Sequence, residues 1–439
     1  MVNVAAIFST LGNPNSLVPL AVKDITSTAA ITGSSFITGK EEGQDRFIDE
    51  AGTLIIWLLG IPAFKWLFDN TVFKAYNLDS KFDVRNLKDK DVFEKIKQYA
   101  PSDEVKKNLE KISKKQGLFK NIALYKFFFA TGATIASYIG LTKAKHRYTE
   151  NKIKNNLIKE FNAQNNQDEN KNTSKMENPS FKGVGEVVKN FAFSPVKNMW
   201  ILDGAITTER LVDSRSPQEF AGYGIREGLY LLFMYYAGNK IQEALEKRAD
   251  KKYNKSIGLD ARVIEDGRLQ KNFENGSVQK SLDEFKAVKE KTGAELYEFL
   301  IKNPENEVVK VAKESDIISM LQKPKKWYEI FKKAEYTDKV DTRKFIDLDL
   351  VKGTYDKLNT LYGQYKTAIQ KGETSETFFK GVKKLKRGSI ATNIGASIFA
   401  LSIITPAAML AKRFYGKDDA EFQTKKEIRN KLIEEGVIS

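Results

Sequence analysis

The residues best placed to do chemistry are two carboxylates. Glu50 closes the triplet Ile48-Asp49-Glu50 and Glu227 closes Ile225-Arg226-Glu227, and each stands directly before an apolar stretch. Facing one another across a pseudo-twofold axis, they would bind a cation or hold a proton. Acting singly, each would cap the first turn of a helix, where the dipole favours negative charge, or accept a salt bridge. Other chemistry is scarce. The chain has no cysteine and one histidine, His146 in KAKHRYTE, which excludes disulfides, thiolate nucleophiles and every Cys/His zinc pattern. The stretch GSSFITGKE, from Gly33 to Glu41, has the wrong spacing between its glycines for a phosphate loop, and Glu41 stands where a magnesium-binding hydroxyl belongs. Asp347-Leu348-Asp349 with Gly353 lacks the remaining carboxylates of a calcium loop. No metal, no cofactor and no enzyme activity are expected from these residues.

The elements that must position Glu50 and Glu227 are apolar segments, of which there are four: 51–68, 121–142, 225–241 and 388–411. A helix needs about 20 predominantly apolar residues to cross a bilayer. The fourth segment meets that length without a charge, the second meets it if Lys126 snorkels from one end, and the third is the shortest. Gly132, Ala136 and Gly140 in the second segment, and Thr392, Ala396 and Ala400 in the fourth, recur at spacing four. That is the pattern of a smooth helix-packing face. Cations fringe the same segments: Lys143, Lys145 and Arg147 follow the second, Lys383, Lys384, Lys386 and Arg387 precede the fourth, and Lys412 and Arg413 follow it. Such placement suits anionic lipid headgroups. It also gives a location to the net charge of +15, the surplus of 72 Lys and Arg over 57 Asp and Glu.

The segments come in a repeated order. Each half runs from an Ile-x-Glu triplet to an apolar stretch, a polar region, a second apolar stretch and a closing octet. The octets are IKNNLIKE, Ile153 to Glu160, and IRNKLIEE, Ile428 to Glu435. Between them, Val92-Phe93-Glu94 parallels Leu296-Tyr297-Glu298, and Pro101-x-x-Glu104-Val105-x-Lys107 parallels Pro304-x-x-Glu307-Val308-x-Lys310. Collinear order with growing separation is the mark of a tandem duplication whose second copy has gained insertions. The expected organisation is therefore a first repeat over 1–161, an Asn/Gln-rich linker over 162–180 and an expanded second repeat over 181–439.

Local patterns are helical. Ser102 reads as an N-cap with Asp103 and Glu104 behind it and Gly117 as a stop, and Asn303 reads as a cap before Pro304. Ile153, Leu157, Ile158 and Phe161 make one apolar stripe, matched by Ile428, Leu432 and Ile433, suited to packing on another helix or on each other. Asp266-Gly267 permits one small β-hairpin. The fold class expected is mainly α, two tandem helical halves, with at most that one hairpin.

From these features the chain is expected in a membrane, the cytoplasmic one, since no basic region precedes a short apolar run at the N-terminus to make a secretory signal. Its expected role is structural or scaffolding, with polar helical regions free to bind a protein partner and anionic lipid favoured over nucleic acid. A small channel or transporter is the first alternative, although no ionisable residue sits deep in the second or fourth segment. A soluble helical interaction protein with the apolar segments as its core is the second. Crossing number and orientation stay open, because cations flank both ends of the segments.

Overall fold

Helices make up nearly all of the regular structure. The computed structural model describes residues 4–13, 16–38, 40–164, 195–212, 214, 217–323, 335–407 and 428–438. The chain opens with α1 (Val4–Leu11), α2 (Val18–Thr38) and α3 (Lys40–Phe68), then α4 (Lys90–Gln98), α5 (Asp103–Lys114) and the 49-residue α6 (Gln116–Gln164). It continues through α7 (Pro195–Val212), α8 (Pro217–Leu231), α9 (Gly238–Tyr253), α10 (Ala261–Glu265), α11 (Gly267–Glu274) and α12 (Ser277–Lys289). After α13 (Gly293–Lys302) and α14 (Glu307–Glu314) come strands β1 (Met320–Gln322) and β2 (Tyr336–Val340), then α15 (Leu348–Gln370) and α16 (Ser375–Phe399). A further helix covers 428–434. The two strands pair antiparallel, Met320 with Val340 and Gln322 with Tyr336, and form the one sheet among the described residues.

The chain packs as two units, each drawing segments from both linear halves. The first unit comprises Met1–Pro19, Leu67–Lys126 and Gly238–Gly395. It is built as a protein in water is built. Its short helices are amphipathic and capped by side chains: Asp89 for α4, Ser102 for α5, a Thr292–Glu295 capping box for α13, Asn306 for α14 and Asp347 for α15. Their apolar faces meet in one continuous core, in which the Phe273 ring stands edge-on to Tyr362 and Phe379, both at 5.1 Å. The parallel stretches around Phe93 and Tyr297 lie on helices that pack together, joined by Lys95 Nζ and Glu298 Oε2 at 2.5 Å.

Three local expectations change here. Asp266-Gly267 turns no hairpin. Asp266 instead accepts a hydrogen bond from the Arg268 N–H and caps α11, because Val263, Ile264, Leu269 and Phe273 recur at helical spacing and all reach the core. Asn303 ends α13, and the cap of the next helix is Asn306, whose side chain accepts from the Val308 N–H at 3.0 Å. Gly117 stops nothing, since α5 ends at Lys114 and Gly117 falls in the first turn of α6.

The second unit comprises Leu20–Trp66, Phe127–Ala237 and Ala396–Ser439. Within it α3 and α6 run antiparallel at close range. A Cβ built on Gly52 would stand 2.5 Å from Leu141 Cδ2, and one on Gly60 would stand 2.6 Å from Thr134 Cγ2. Phe64 meets Phe129 edge-to-face at 6.0 Å. The two octets pack on each other: Ile153 and Leu157 share a buried cluster with Leu432 and Ile438, flanked by Ile158, Phe161 and Ile428.

Among the described residues three helices are long and apolar enough to cross a membrane: Arg46–Phe73, Gln116–Phe161 and Ser375–Ala407. The third apolar segment, 225–241, is not one of them; it is divided among α8, a π-helical turn at Leu232–Ala237 and α9. Similar π turns continue α3 at Asp69–Phe73 and α16 at Ala400–Ile404. In Arg46–Phe73 the large apolar side chains of Ile55, Leu59, Trp66 and Leu67 are exposed.

Candidate functional site

At the start of the apolar stretch in α3, the second unit buries a network of charge. Glu50 and Glu227 both reach Arg226: its Nη2 lies 2.5 Å from Glu50 Oε1 and 3.5 Å from Glu227 Oε1. Arg210 on α7 binds the same oxygen of Glu227, Nη1 to Oε1 at 2.5 Å, donates from Nε to the Tyr138 hydroxyl oxygen and from Nη2 to Thr53 Oγ1, and lies 3.6 Å from Asp49. Asp49 is also approached by Lys145 at 3.5 Å and Arg46 at 3.8 Å. Four cations (Arg46, Lys145, Arg210 and Arg226) thus face three carboxylates (Asp49, Glu50 and Glu227). Glu50 and Glu227 therefore sit in a salt-bridge network, and the atom that brings them together is an arginine nitrogen. Neither the Arg226 bridge nor Arg210 was read from the sequence. The signal for Arg226 lay in plain view, one residue before Glu227.

Beyond the network two further carboxylates are buried with no Lys or Arg nitrogen within 4.0 Å among the described residues. Asp24 on α2 accepts a hydrogen bond from the Tyr230 hydroxyl at 3.1 Å, and Asp203 on α7 accepts one from Tyr235. Both helices lie outside the three long apolar ones. A cavity of about 30 Å³, bounded by Asp24, Glu50, Trp57, Asp203, Arg226 and Tyr230, separates these acids from the network. It has room for a water molecule or two. No group of three metal-ligating side chains occurs among the described residues.

The cations expected at lipid headgroups divide. Lys145 is buried on Asp49. Lys386 is buried as well, donating to the Ile257 carbonyl at 2.8 Å and lying 3.4 Å from Glu246. Arg387 grips Glu265 through two nitrogens at 2.7 Å, and Lys383 donates to the Glu265 carbonyl. These side chains hold the protein together. Arg147 and Lys384 are exposed, Lys143 is half-buried, and Lys412 and Arg413 lie outside the described residues. The small-residue face also sits elsewhere than its spacing suggested. Gly132, Ala136 and Gly140 point outward, and no atom lies within 4 Å of a Cβ built on either glycine. Thr392 is exposed, Ala396 half-buried and Ala400 buried. Close approach is made instead by Gly52 and Gly60, the two glycines that bracket the first apolar run.

A mainly helical chain with three helices, among the described residues, apolar enough to span a membrane, and with a buried ionic network in its second unit, is the class that fold and site define. Comparison with protein families, curated proteins and solved structures gives no match to the chain.

Proposed function

We propose that the protein is an integral membrane protein in which the second unit lies in the bilayer and the first unit is an aqueous helical platform for a partner protein. The observation that carries this reading is the inversion of polarity between the units. In the second, Ile55, Leu59, Phe128 and Ile403 are exposed while Asp49, Arg210 and Glu227 are buried. Water would penalise that arrangement, whereas lipid favours it, since ionisable groups in a membrane turn to the bundle interior and pair. In the first unit the ordinary polarity returns. A tandem duplication, with the octets as the matched closing helices, remains the proposed origin of the two halves. The cytoplasmic membrane is the proposed location, and exposed Arg147 and Lys384 are the proposed contacts to anionic lipid.

The test uses the absence of native cysteine. Spin labels at Leu59→Cys and Ile403→Cys in reconstituted vesicles should collide more with oxygen than with a water-soluble relaxant, and a label at Lys280→Cys should do the reverse. Equal exposure to the water-soluble agent at all three positions, with release of the protein by alkaline wash, would leave only the soluble reading.

A proton or cation pathway is the second reading, supported by Asp24 and Asp203, which are buried outside any ion pair among the described residues and line a water-sized cavity. Vesicle flux that disappears in Asp24→Asn and Asp203→Asn would establish it. Flux no different from empty vesicles would exclude it.

A further inference from the structure

The small cavity beside the ionic network brings together polar groups that the network leaves unused. Asp24 and Ser27 reach it from α2, Asp203 from α7 and Tyr230 from α8. All of them belong to the second unit. Both acids are at least nine-tenths buried. Each is met by a phenol: Tyr230 donates to Asp24 Oδ1 and Tyr235 donates to Asp203 Oδ2. Neither has a Lys or Arg nitrogen within 4.0 Å among the described residues. Two carboxylates ionised together in so small a space repel one another and lose hydration that a phenol restores only in part. Such a pair calls for a neutralising ion.

A second observation is independent of the acids. Ser27 is 2% exposed, its hydroxyl has no hydrogen-bond partner among the described residues, and its oxygen is not enclosed by protein atoms. It opens on the cavity, whose volume of about 30 Å³ accommodates a water molecule or two. Water there finds the polar partners it needs in the Ser27 hydroxyl, the second oxygen of Asp24 and the Asp203 carboxylate. The nature of the ion follows from the rest of the wall. Arg210 and Arg226 stand on it, committed to Glu227 and Glu50 respectively. Their charge opposes a metal cation at the same place, whereas a proton on a carboxyl oxygen adds neither bulk nor a coordination shell.

We infer that Asp24 and Asp203 form a proton-binding pair bridged by cavity water, holding one proton between them at neutral pH. The proton passes when the O–H bond of one carboxyl breaks towards a water oxygen and that water gives another of its protons to the second carboxylate. The pair keeps a single negative charge throughout. This inference deepens the second functional reading and rests on the same two acids, but proton binding is measured without transport. The experiment records infrared difference spectra of the full chain in nanodiscs through a pH titration, following the carbonyl stretch of a protonated carboxyl. An ordinary Asp is ionised well below about pH 7, so a band at that pH that fades as pH rises is the expected signature. Asp24→Asn and Asp203→Asn each remove a like charge, and the acid that remains should hold its proton at least about tenfold more weakly. The double variant should lack the band. Ser27→Ala alters no charge and should keep the band while shifting its frequency, through loss of a bond to the bridging water. A parent without the band at about pH 7, a band indifferent to both Asn variants, or a frequency unmoved in Ser27→Ala would overturn the inference. So would a band that sodium or potassium removes, which would make the site one for a metal cation. The expected band together with no vesicle flux would keep the proton site and sink the pathway.

Discussion

Replacing Arg210 by Met tests whether the buried network holds the second unit together. The guanidinium touches four groups: Glu227 at 2.5 Å, Asp49 at 3.6 Å, Thr53 at 3.3 Å and the Tyr138 hydroxyl. Methionine fills similar volume and supplies no charge. Glu227 then keeps only Arg226, at 3.5 Å, and Asp49 keeps Lys145 and Arg46 at 3.5 and 3.8 Å. Breaking a buried ion pair from one side costs about 3–5 kcal/mol, because the remaining charge stays buried and under-compensated. Since each acid keeps a weaker cation, the expected loss is about 3 kcal/mol, with the stranded Tyr138 and Thr53 contacts adding about 1 kcal/mol. At 1.4 kcal/mol per decade that is a drop of roughly a thousandfold in the folding equilibrium. Trp57, 1% exposed and on the wall of the adjoining cavity, is the reporter, and its fluorescence is followed through unfolding in mixed micelles. The double variant Arg210→Met with Glu227→Leu removes both charges. It should lose less than Arg210→Met alone, since a hydrophobic replacement of a whole pair is close to neutral. A loss under about 1 kcal/mol for the single variant, or a double variant equal to the sum of its singles, would refute the coupling.

Three further outcomes follow from the packing and charge. Gly60→Ala places a methyl 2.6 Å from Thr134, whereas Gly132→Ala meets nothing within 4 Å, so thermal melts should separate the two by about 1–3 kcal/mol in favour of the second. Leu432→Ala empties a site that is 1% exposed in the octet cluster and should cost about 2–4 kcal/mol locally, read as faster hydrogen exchange along 428–434 and the facing turn of α6. The third concerns Glu298, whose carboxyl Lys302, Lys95 and Tyr99 together hold down to about 2, against an ordinary 4.5. Its depressed value means that the stabilisation is complete above about pH 4.5 and is lost as pH falls towards about 2. In Glu298→Gln, the melting temperature of the first unit should depend less on pH across that window than in the parent.

Much of the helical plan was legible because periodicity and caps are local. Ser102 followed by Asp103 and Glu104 announced α5, and the octets announced stripes that pack on each other. What failed was local evidence with two meanings. Asp-Gly starts a helix as readily as it turns a hairpin, and only the core positions of Leu269 and Phe273 decide between them. Small residues at spacing four mark a smooth face but not what touches it, so Gly132 and Gly140 face outward while Gly52 and Gly60 make the contact. The network was half visible. Glu50 and Glu227 stood out beside apolar runs, but Arg210 and Asp203 lie in a segment of mixed composition where nothing marks a residue as buried. Their separation of about two helical turns, which aligns them on one side of α7, was the signal available.

The π-helical turn at Leu232–Ala237 bears on how one rod can serve two masters. A widened turn amounts to one surplus residue absorbed without a loop, and every side chain beyond it is rotated by roughly 100° from where an unbroken helix would aim it. The face that carries Arg226 and Glu227 inward is thereby uncoupled from the face that begins at Gly238. Evolution can retune either stretch without dragging the other around the axis, and removing the surplus residue would restore a regular helix while leaving Ala249 turned towards the core it now occupies.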